Sequence, residues 1–420
     1  MTINAPRGVN DILPPESAKW KYIRRKVEEV FDLYNYDEIK LPIFEKTELF
    51  QRGVGETTDI VQKEMYTFED RKGRSITLRP EGTASVMRSF LEHKIYGQSQ
   101  PTKYFYFGPM FRYERPQAGR YRQFYQVGVE VLGADNPVVD AEVIMVGLHL
   151  LETIGLTGFK LYINSIGCPD CRQDYLDALQ DFFNPKLENL CSNCQDRYEK
   201  NPLRMLDCKN PDCKIHMEDA PSILEYLCDE CAEDFSTVKT YLDKVDISYQ
   251  VDPRLVRGLD YYTKTAFEVK FDKLGAQDAI FAGGRYDGLG EDIGNKSIPG
   301  IGFAIGVERL LLALEEQGVE LPIDTSIDLF ITTIGERAEE AAFKYLAQLR
   351  REGLKVAMDY LGRSVKSQMK RADKMNANYS IILGDNELND DFATIREMKS
   401  GEQEEIKLSN LVDEMRKRVK

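Results

Sequence analysis

The sequence predicts an α+β protein in which an antiparallel sheet is flanked by helices, interrupted by a cysteine-rich insertion and followed by a separate α/β domain. Three observations carry this reading. Two runs of strand character, 102–113 and 123–132, flank a loop rich in Arg, Pro and Gly and read as one long hairpin. All eight cysteines fall between Cys168 and Cys231. Beyond Ser326 the chain alternates strand and helix in the order of a parallel βαβαβ unit. A chain of 420 residues also exceeds one ordinary core. The predicted division is 1–325, with the insertion at about 168–235, and 326–420.

In chain order, Trp20, Ile23, Val27, Val30, Phe31 and Tyr34 form a helical stripe announced by Pro14 and Pro15. A short extended run, 38–42, follows. Residues 65–68 and 75–79 read as strands joined by a turn, and 137–153 as a helix. After a strand at 160–165 the cysteine-bearing stretch shows no clean periodicity until about Ser222. Strand signals return at 248–251, 265–271 and 279–282, and a Gly-rich strand then runs into a helix at 307–317. The last domain reads as strand 327–333, a helix to Arg351, strand 355–359, a helix from Ser364, strand 379–383, a hairpin near 399–402 and a closing helix.

Composition excludes several classes. No apolar run approaches the twenty residues of a membrane span, and the best stretch, 300–314, is broken by Glu308 and Arg309. Residues 1–16 lack an apolar signal core, so the expected location is the cytoplasm, with no membrane partner. A net charge of -14 repels polyanions on average, so any nucleic-acid contact must come from local basic patches.

Two segments carry the chemistry. Phe111-Arg112-Tyr113-Glu114 closes the first hairpin strand, and Gly300-Ile301-Gly302-Phe303-Ala304-Ile305-Gly306-Val307-Glu308-Arg309 joins a strand to a helix. An arginine at each strand end can clamp a triphosphate, because planar guanidinium forks match phosphate oxygens. Surface arginines and a tightly packed strand are the plain alternative for either segment by itself. Together they resemble motifs 2 and 3 of class II aminoacyl-tRNA synthetases, and the N-terminal helix with Pro42 resembles motif 1, the dimer element. The class I signature His-x-Gly-His and the dinucleotide and P-loop fingerprints are absent. Leu255-Val256-Arg257-Gly258-Leu259-Asp260-Tyr261-Tyr262-Thr263 and Phe281-Ala282-Gly283-Gly284-Arg285-Tyr286-Asp287-Gly288-Leu289 resemble the two peptides peculiar to the histidyl-tRNA synthetase family. With Arg79-Pro80-Glu81-Gly82-Thr83 the resemblance covers essentially the whole chain.

The resemblance implies a dimeric enzyme that activates L-histidine with ATP and magnesium and charges histidine tRNA, and a C-terminal anticodon-binding domain. It implies that Glu81 and Thr83 meet the histidine ammonium, that Gln126 and Glu130 bind substrate, with Glu130 taking an imidazole N–H, and that Tyr261, Tyr262 and Tyr286 complete the ring pocket. Core tyrosines are the plain alternative for the last three. Arg112 and Arg257 are expected at the α-phosphate, Glu114 beside the nucleotide, and Arg309 on the far phosphates. Arg115, Gln117 and Arg120 of the hairpin loop are expected at the tRNA acceptor end. Lys366, Lys370 and Lys374 share a helix face at i, i+4, i+8, and read either as a solvated face or, by the resemblance, as an anticodon-domain contact.

Cys168-x-x-Cys171, Cys191-x-x-Cys194, Cys208-x4-Cys213 and Cys228-x-x-Cys231 form four pairs, enough for one or two structural zinc ions. Buried free thiols are the alternative. The expected grouping joins Cys191, Cys194, Cys228 and Cys231 in one site and Cys168, Cys171, Cys208 and Cys213 in a second. Zinc removal is expected to impair tRNA docking more than amino-acid activation. A catalytically silent, histidine-sensing regulatory relative is the competing function. Such a relative would lack the C-terminal domain and tend to lose the catalytic arginine, and this chain has both.

Overall fold

The structure is a computed structural model that describes residues 3–419 apart from 57, 276 and 277. The chain divides between Leu321 and Pro322 into two compact units. In the first, the strands are β1 (Asp37–Glu38), β2 (Phe44–Lys46), β3 (Tyr66–Glu69), β4 (Ser75–Leu78), β5 (Thr102–Phe111), β6 (Gln123–Leu132), β7 (Lys160–Ser165), β8 (Gln250–Val251), β9 (Thr263–Lys270), β10 (Ala279–Arg285) and β11 (Gly300–Gly306). Among the described residues, eight of them form a sheet in the order β1-β5-β6-β11-β10-β9-β7-β8, and β2-β4-β3 form a small separate sheet. The large sheet is antiparallel except at its two edges, where β1 and β8 join in parallel.

The long hairpin is its spine, with β5 and β6 paired from Thr102 opposite Leu132 to Phe111 opposite Gln123. The extended run at 38–42 proves shorter than expected: it pairs through Asp37–Glu38 and one further bond, from the Ile39 N–H to the Phe105 carbonyl at 2.8 Å. Pro42 has no N–H to extend the ladder. The helix Glu16–Leu33 buries Ile23, Val27, Val30 and Phe31, the apolar stripe of one helix face. Phe31 meets Phe105 edge-on at 5.4 Å. Helices Val138–Thr153 and Val307–Gln317 both pack on β6, β10 and β11, so these central strands carry side chains directed to covered faces.

One expectation fails in the insertion, which is largely helical: Pro169–Phe183, Ser192–Lys200, Pro211–Ile215 and Asp229–Lys244. The first of these buries Cys171, Tyr175, Leu179 and Phe183, a regular four-residue stripe. It is hidden in the sequence because the first two of these inward residues are a cysteine and a tyrosine rather than aliphatics, and Pro169 at the first helical position reads as a breaker although it suits a helix start.

The second unit has β12 (Ile327–Thr333), β13 (Val356–Met358), β14 (Ala377–Leu383), β15 (Phe392–Glu397) and β16 (Gln403–Lys407), in the order β13-β12-β14-β15-β16. The first three strands are parallel and the last two antiparallel. Leu329, Ile331, Leu346, Ile381 and Leu411 belong to its core. The helix Val365–Lys374 turns Gln368 and Ala372 inward. Gln368 accepts from the Thr333 N–H at 3.0 Å and donates to the Thr333 carbonyl at 2.9 Å, which leaves Lys366, Lys370 and Lys374 exposed on the outer face. No described helix is long and apolar enough to cross a membrane.

Arg285 at the end of β10 is the deepest cation of the first unit. It is 2% exposed, donates to both carboxylate oxygens of buried Asp140 on the helix Val138–Thr153, and also reaches the Ala134 carbonyl at 3.0 Å and Asp287 at 3.2 Å. Removing one partner of a fully buried pair leaves the other charge without compensation. Arg285→Ala is therefore expected to cost about 3–5 kcal/mol in urea unfolding at unchanged m-value. A loss under about 1 kcal/mol, the range of surface pairs, would show that the pair does not anchor the sheet.

Candidate active site

A cavity of about 290 Å³ opens over the glycine-bearing stretch of the sheet. Its shape is set by close approaches of side chain to backbone. Tyr106 on β5 lies across Gly128 of β6, Glu130 of β6 across Gly302 of β11, and Tyr286, just past β10, across Gly300 of β11. A Cβ at those three glycines would stand 2.2, 2.0 and 2.3 Å from the side chain above it. The Gly-x-Gly spacing of the strand is thus the room that a carboxylate and a phenol need to lie flat on the sheet.

Glu130, 1% exposed, accepts from the Thr83 hydroxyl at 2.6 Å and from the Tyr286 hydroxyl at 2.5 Å. Burial pushes its carboxyl up to about 8, against the lowering effect of those two bonds and with a further push from nearby Glu81. Glu81 caps the helix Thr83–Glu92, its carboxylate accepting from the N–H groups of Thr83 at 2.7 Å and Ala84 at 3.0 Å. Burial raises its carboxyl too, while the same backbone donors pull it down. Tyr261 stacks at 4.6 Å on Tyr262 and at 5.7 Å on Tyr286, which joins the three tyrosines into one wall.

The other end of the cavity is cationic. Arg112 is held by its Nε bond to the Pro80 carbonyl at 2.9 Å and lies 5.4 Å from the Phe124 ring. Arg257 lies 5.6 Å from the Tyr262 ring and 3.7 Å from Glu268, and its buried Nε has no hydrogen-bond partner among the described residues. Arg309 donates to the Ala279 carbonyl at 3.0 Å. All three guanidinium groups border this one cavity, together with Glu81, Thr83, Glu114, Gln126, Tyr261 and Tyr262. Glu130 and Tyr286 sit behind that wall, bonded to it through Thr83. Glu114 and Glu268 offer hard carboxylate oxygens beside the cations, a donor set that suits Mg²⁺ accompanying a triphosphate.

The hairpin loop splits in a way the sequence does not show. Arg115 and Gln117 are exposed outside the cavity, whereas Arg120 turns back to place its Nε 2.6 Å from Glu114 and borders the cavity itself. Two participants escaped the sequence reading. Tyr106 lines the cavity with a buried hydroxyl that has no partner among the described residues. Its signal was Gly82 and Gly128, both of which lie beneath its ring, but that requires knowing which strand neighbours which. Glu268 is one polar residue in an alternating strand and carried no signal.

The eight thiols form two groups, and the grouping corrects the expectation. Cys168 and Cys171 meet Cys228 and Cys231, while Cys191 and Cys194 meet Cys208 and Cys213. The reason is topological: the helix Asp229–Lys244 returns to pack on β7 and β9, so the insertion ends where it began. Neighbouring sulfurs are 3.6, 3.9 and 3.8 Å apart in the first group, and Cys191 and Cys208 are 3.8 Å apart in the second. A tetrahedral zinc with bonds of about 2.3 Å spaces its sulfurs by about 3.8 Å, close to these separations, and all four sulfurs of each group lie within 4.8 Å of one another.

The raised Glu130 carboxyl has a consequence for stability. Below pH 4.5 folded and unfolded chains both hold this proton; between 4.5 and about 8 the folded chain keeps it and the unfolded chain does not. The stabilisation is full below 4.5 and lost as pH rises through 8. The urea midpoint of the protein, measured against that of Glu130→Gln, should therefore fall across this window, and parallel curves would contradict the assignment.

Comparison with known proteins agrees with this geometry. A histidyl-tRNA synthetase family model matches residues 8–310, and an anticodon binding domain model matches 328–418. The chain is 62% identical over 419 residues to the histidine–tRNA ligase of Halothermothrix orenii, covering 100% of both chains, and 54% identical over 412 residues to that of Desulforamulus reducens, covering 98% of both. The solved apo histidyl-tRNA synthetase of S. aureus superposes with a TM-score of 0.85 at 46% identity, covering 99% of this chain and 100% of that one. The chain belongs to the histidyl-tRNA synthetase family.

Proposed function

We infer that the chain is a histidine–tRNA ligase, which joins L-histidine to ATP as histidyl-adenylate with release of pyrophosphate and then passes the histidyl group to the 3′ end of histidine tRNA. The observation that carries this is one cavity that brings Glu81, Thr83 and Gln126 together with Arg112, Arg257 and Arg309. The amino acid's ammonium lies against Glu81 and the Thr83 hydroxyl. Its ring enters among Tyr261, Tyr262 and Tyr286, and Gln126 offers a buried oxygen that has no partner among the described residues. Glu130 accepts the ring N–H on a carboxylate lone pair that Thr83 and Tyr286 leave free, while the Thr83 hydroxyl keeps its bond to Glu130 and accepts from the ammonium. A site built to bond this N–H rejects isosteres without it.

In the first step a carboxylate oxygen of histidine attacks the α-phosphorus in line, and pyrophosphate leaves with the electron pair. Arg112 and Arg257 oppose the charge that develops on the α-phosphate, from the two sides of the cavity. Arg309 holds the far phosphates. Glu114 and Glu268 would hold the Mg²⁺ that accompanies ATP, which would supply positive charge against the phosphates. Arg115 and Gln117, with Arg120 at the rim, meet the tRNA acceptor end; Lys366, Lys370 and Lys374 meet its anticodon arm. The insertion carries structural zinc on its two thiol groups. Exposed Leu33, Ile43 and Phe44, at 71%, 46% and 58%, give the Pro42 region an apolar surface suited to a second copy in a homodimer. The regulatory reading is disfavoured by the retention of all three cavity arginines and of the C-terminal unit.

Pyrophosphate exchange into ATP should occur with histidine and with no other standard amino acid; histidine binding without exchange would point to the regulatory relative. Arg257→Ala should lower the single-turnover activation rate about 10²-fold or more with a smaller change in ATP affinity. Equal loss of ground-state ATP affinity with an unchanged rate would remove Arg257 from the transition state. Replacing Lys366, Lys370 and Lys374 together by Gln should reduce the salt slope of tRNA binding by about 2, whereas an unchanged slope would mark a solvated face.

A further inference from the structure

We propose that the cysteine-rich insertion is a metal-set clamp on the substrate loop Arg257–Tyr262, with Arg172 and Arg204 as its positioning residues. This rests on the zinc reading above and adds a role that the reading does not contain. The loop carries Arg257, Tyr261 and Tyr262, yet residues 252–262 belong to no helix or strand. Its backbone carbonyls must therefore find donors elsewhere.

Both ends of the loop find them in the insertion. The Gly258 carbonyl accepts from Arg204 Nη1 at 2.8 Å, and the Tyr262 carbonyl accepts from Arg172 Nη2 at 2.7 Å. Between them, Asn201 donates to Asp260 at 3.0 Å. Each arginine lies close in sequence to a cysteine of one thiol group. Arg172 directly follows Cys171 and also donates to the Ile166 carbonyl at 3.3 Å. Gly167, at φ 66°, turns the chain where a Cβ would stand 2.7 Å from the Cys171 sulfur. Arg204, 8% exposed, lies in the short turn Pro202–Met205, four residues before Cys208. A third tie runs from the helix that follows Cys228: its Glu230 and Asp234 hold Lys264 of β9 at 2.7 and 2.8 Å.

Arg172 lies on the helix Pro169–Phe183 and Arg204 in a turn that buries Leu203 and Met205, and a tetrathiolate ion adds binding free energy to the order of each segment at its cysteines. Loss of an ion loosens the guanidinium donor close in sequence to its cysteines, and with both lost, the loop that carries one ATP-facing arginine and two ring-facing tyrosines loses its supports. Metal removal therefore reaches amino-acid activation, contrary to the expectation that it would act chiefly on tRNA docking.

The test uses full-length protein, with zinc content by elemental analysis and histidine-dependent pyrophosphate exchange measured on the same samples. Arg172→Gln and Arg204→Gln should each keep two zinc ions per chain, one per thiol group, and raise the histidine KM about tenfold, as loss of one charged hydrogen bond does. Arg172→Lys, which keeps a donor, should recover most of that loss. Cys228→Ser with Cys231→Ser should release one zinc and raise the histidine KM alike. A histidine KM within about twofold of the parent in both Gln variants, with zinc retained, overturns the clamp. Fully active parent protein with less than about a tenth of an equivalent of zinc overturns the zinc reading itself, and with it the metal's part in the clamp. Should Arg204→Gln fail to fold, the contrast between Arg172→Gln and Arg172→Lys decides.

Discussion

A carboxylate buried on the face of a β-sheet needs room, donors and a reason not to move, and the centre of this molecule is organised around supplying all three to Glu130. Room comes from Gly302 on the adjacent strand, where a single methyl would overlap the carboxylate oxygen. Donors come from Thr83 and Tyr286. Rigidity comes from Arg285, the residue before Tyr286, whose bonds to Asp140, Asp287 and Ala134 fix the end of β10. A glycine strand, a helix start and a buried ion pair, far apart in sequence, thus serve one group.

That group also sets the polarity of the cavity. Glu81 and Glu130 are held in low-dielectric surroundings that disfavour their charge. Arg112, Arg257 and Arg309, all partly buried, border the same cavity. In the proposed function, the amino acid's carboxylate and the nucleotide's α-phosphate meet in this cavity. Preorganisation of this kind places most of the catalytic work in the folded protein rather than in the encounter.

Much of this was legible before the structure. The hairpin 102–132, the helix 307–317 and the βαβαβ order of the last domain follow from local periodicity, and the cavity-facing arginines follow from their motifs. What was not legible depends on which strands lie side by side. Tyr106 is an unremarkable aromatic in a strand until Gly128 is known to be its neighbour. The thiol grouping depends on the return of the helix Asp229–Lys244 to the base of the insertion, which spacing does not encode. The helix Pro169–Phe183 was obscured because its inward face begins with Cys171 and Tyr175 and the helix starts at a proline. Arg172 and Arg204 read as ordinary cations in the sequence, since the carbonyls they hold lie 90 and 54 residues away.

The central claim is that Glu130 reads the ring N–H of histidine, and competition binding tests it most directly. Affinity for L-histidine should be compared with that for an isosteric analogue in which ring N–H is replaced by sulfur, in the parent protein and in Glu130→Met. The parent should prefer histidine by about 10²-fold or more, as sites with a buried partner for a substrate N–H do, and the preference should fall toward unity in the variant. A parent that binds both equally, or a variant that keeps the full preference, would show that recognition of the ring lies elsewhere.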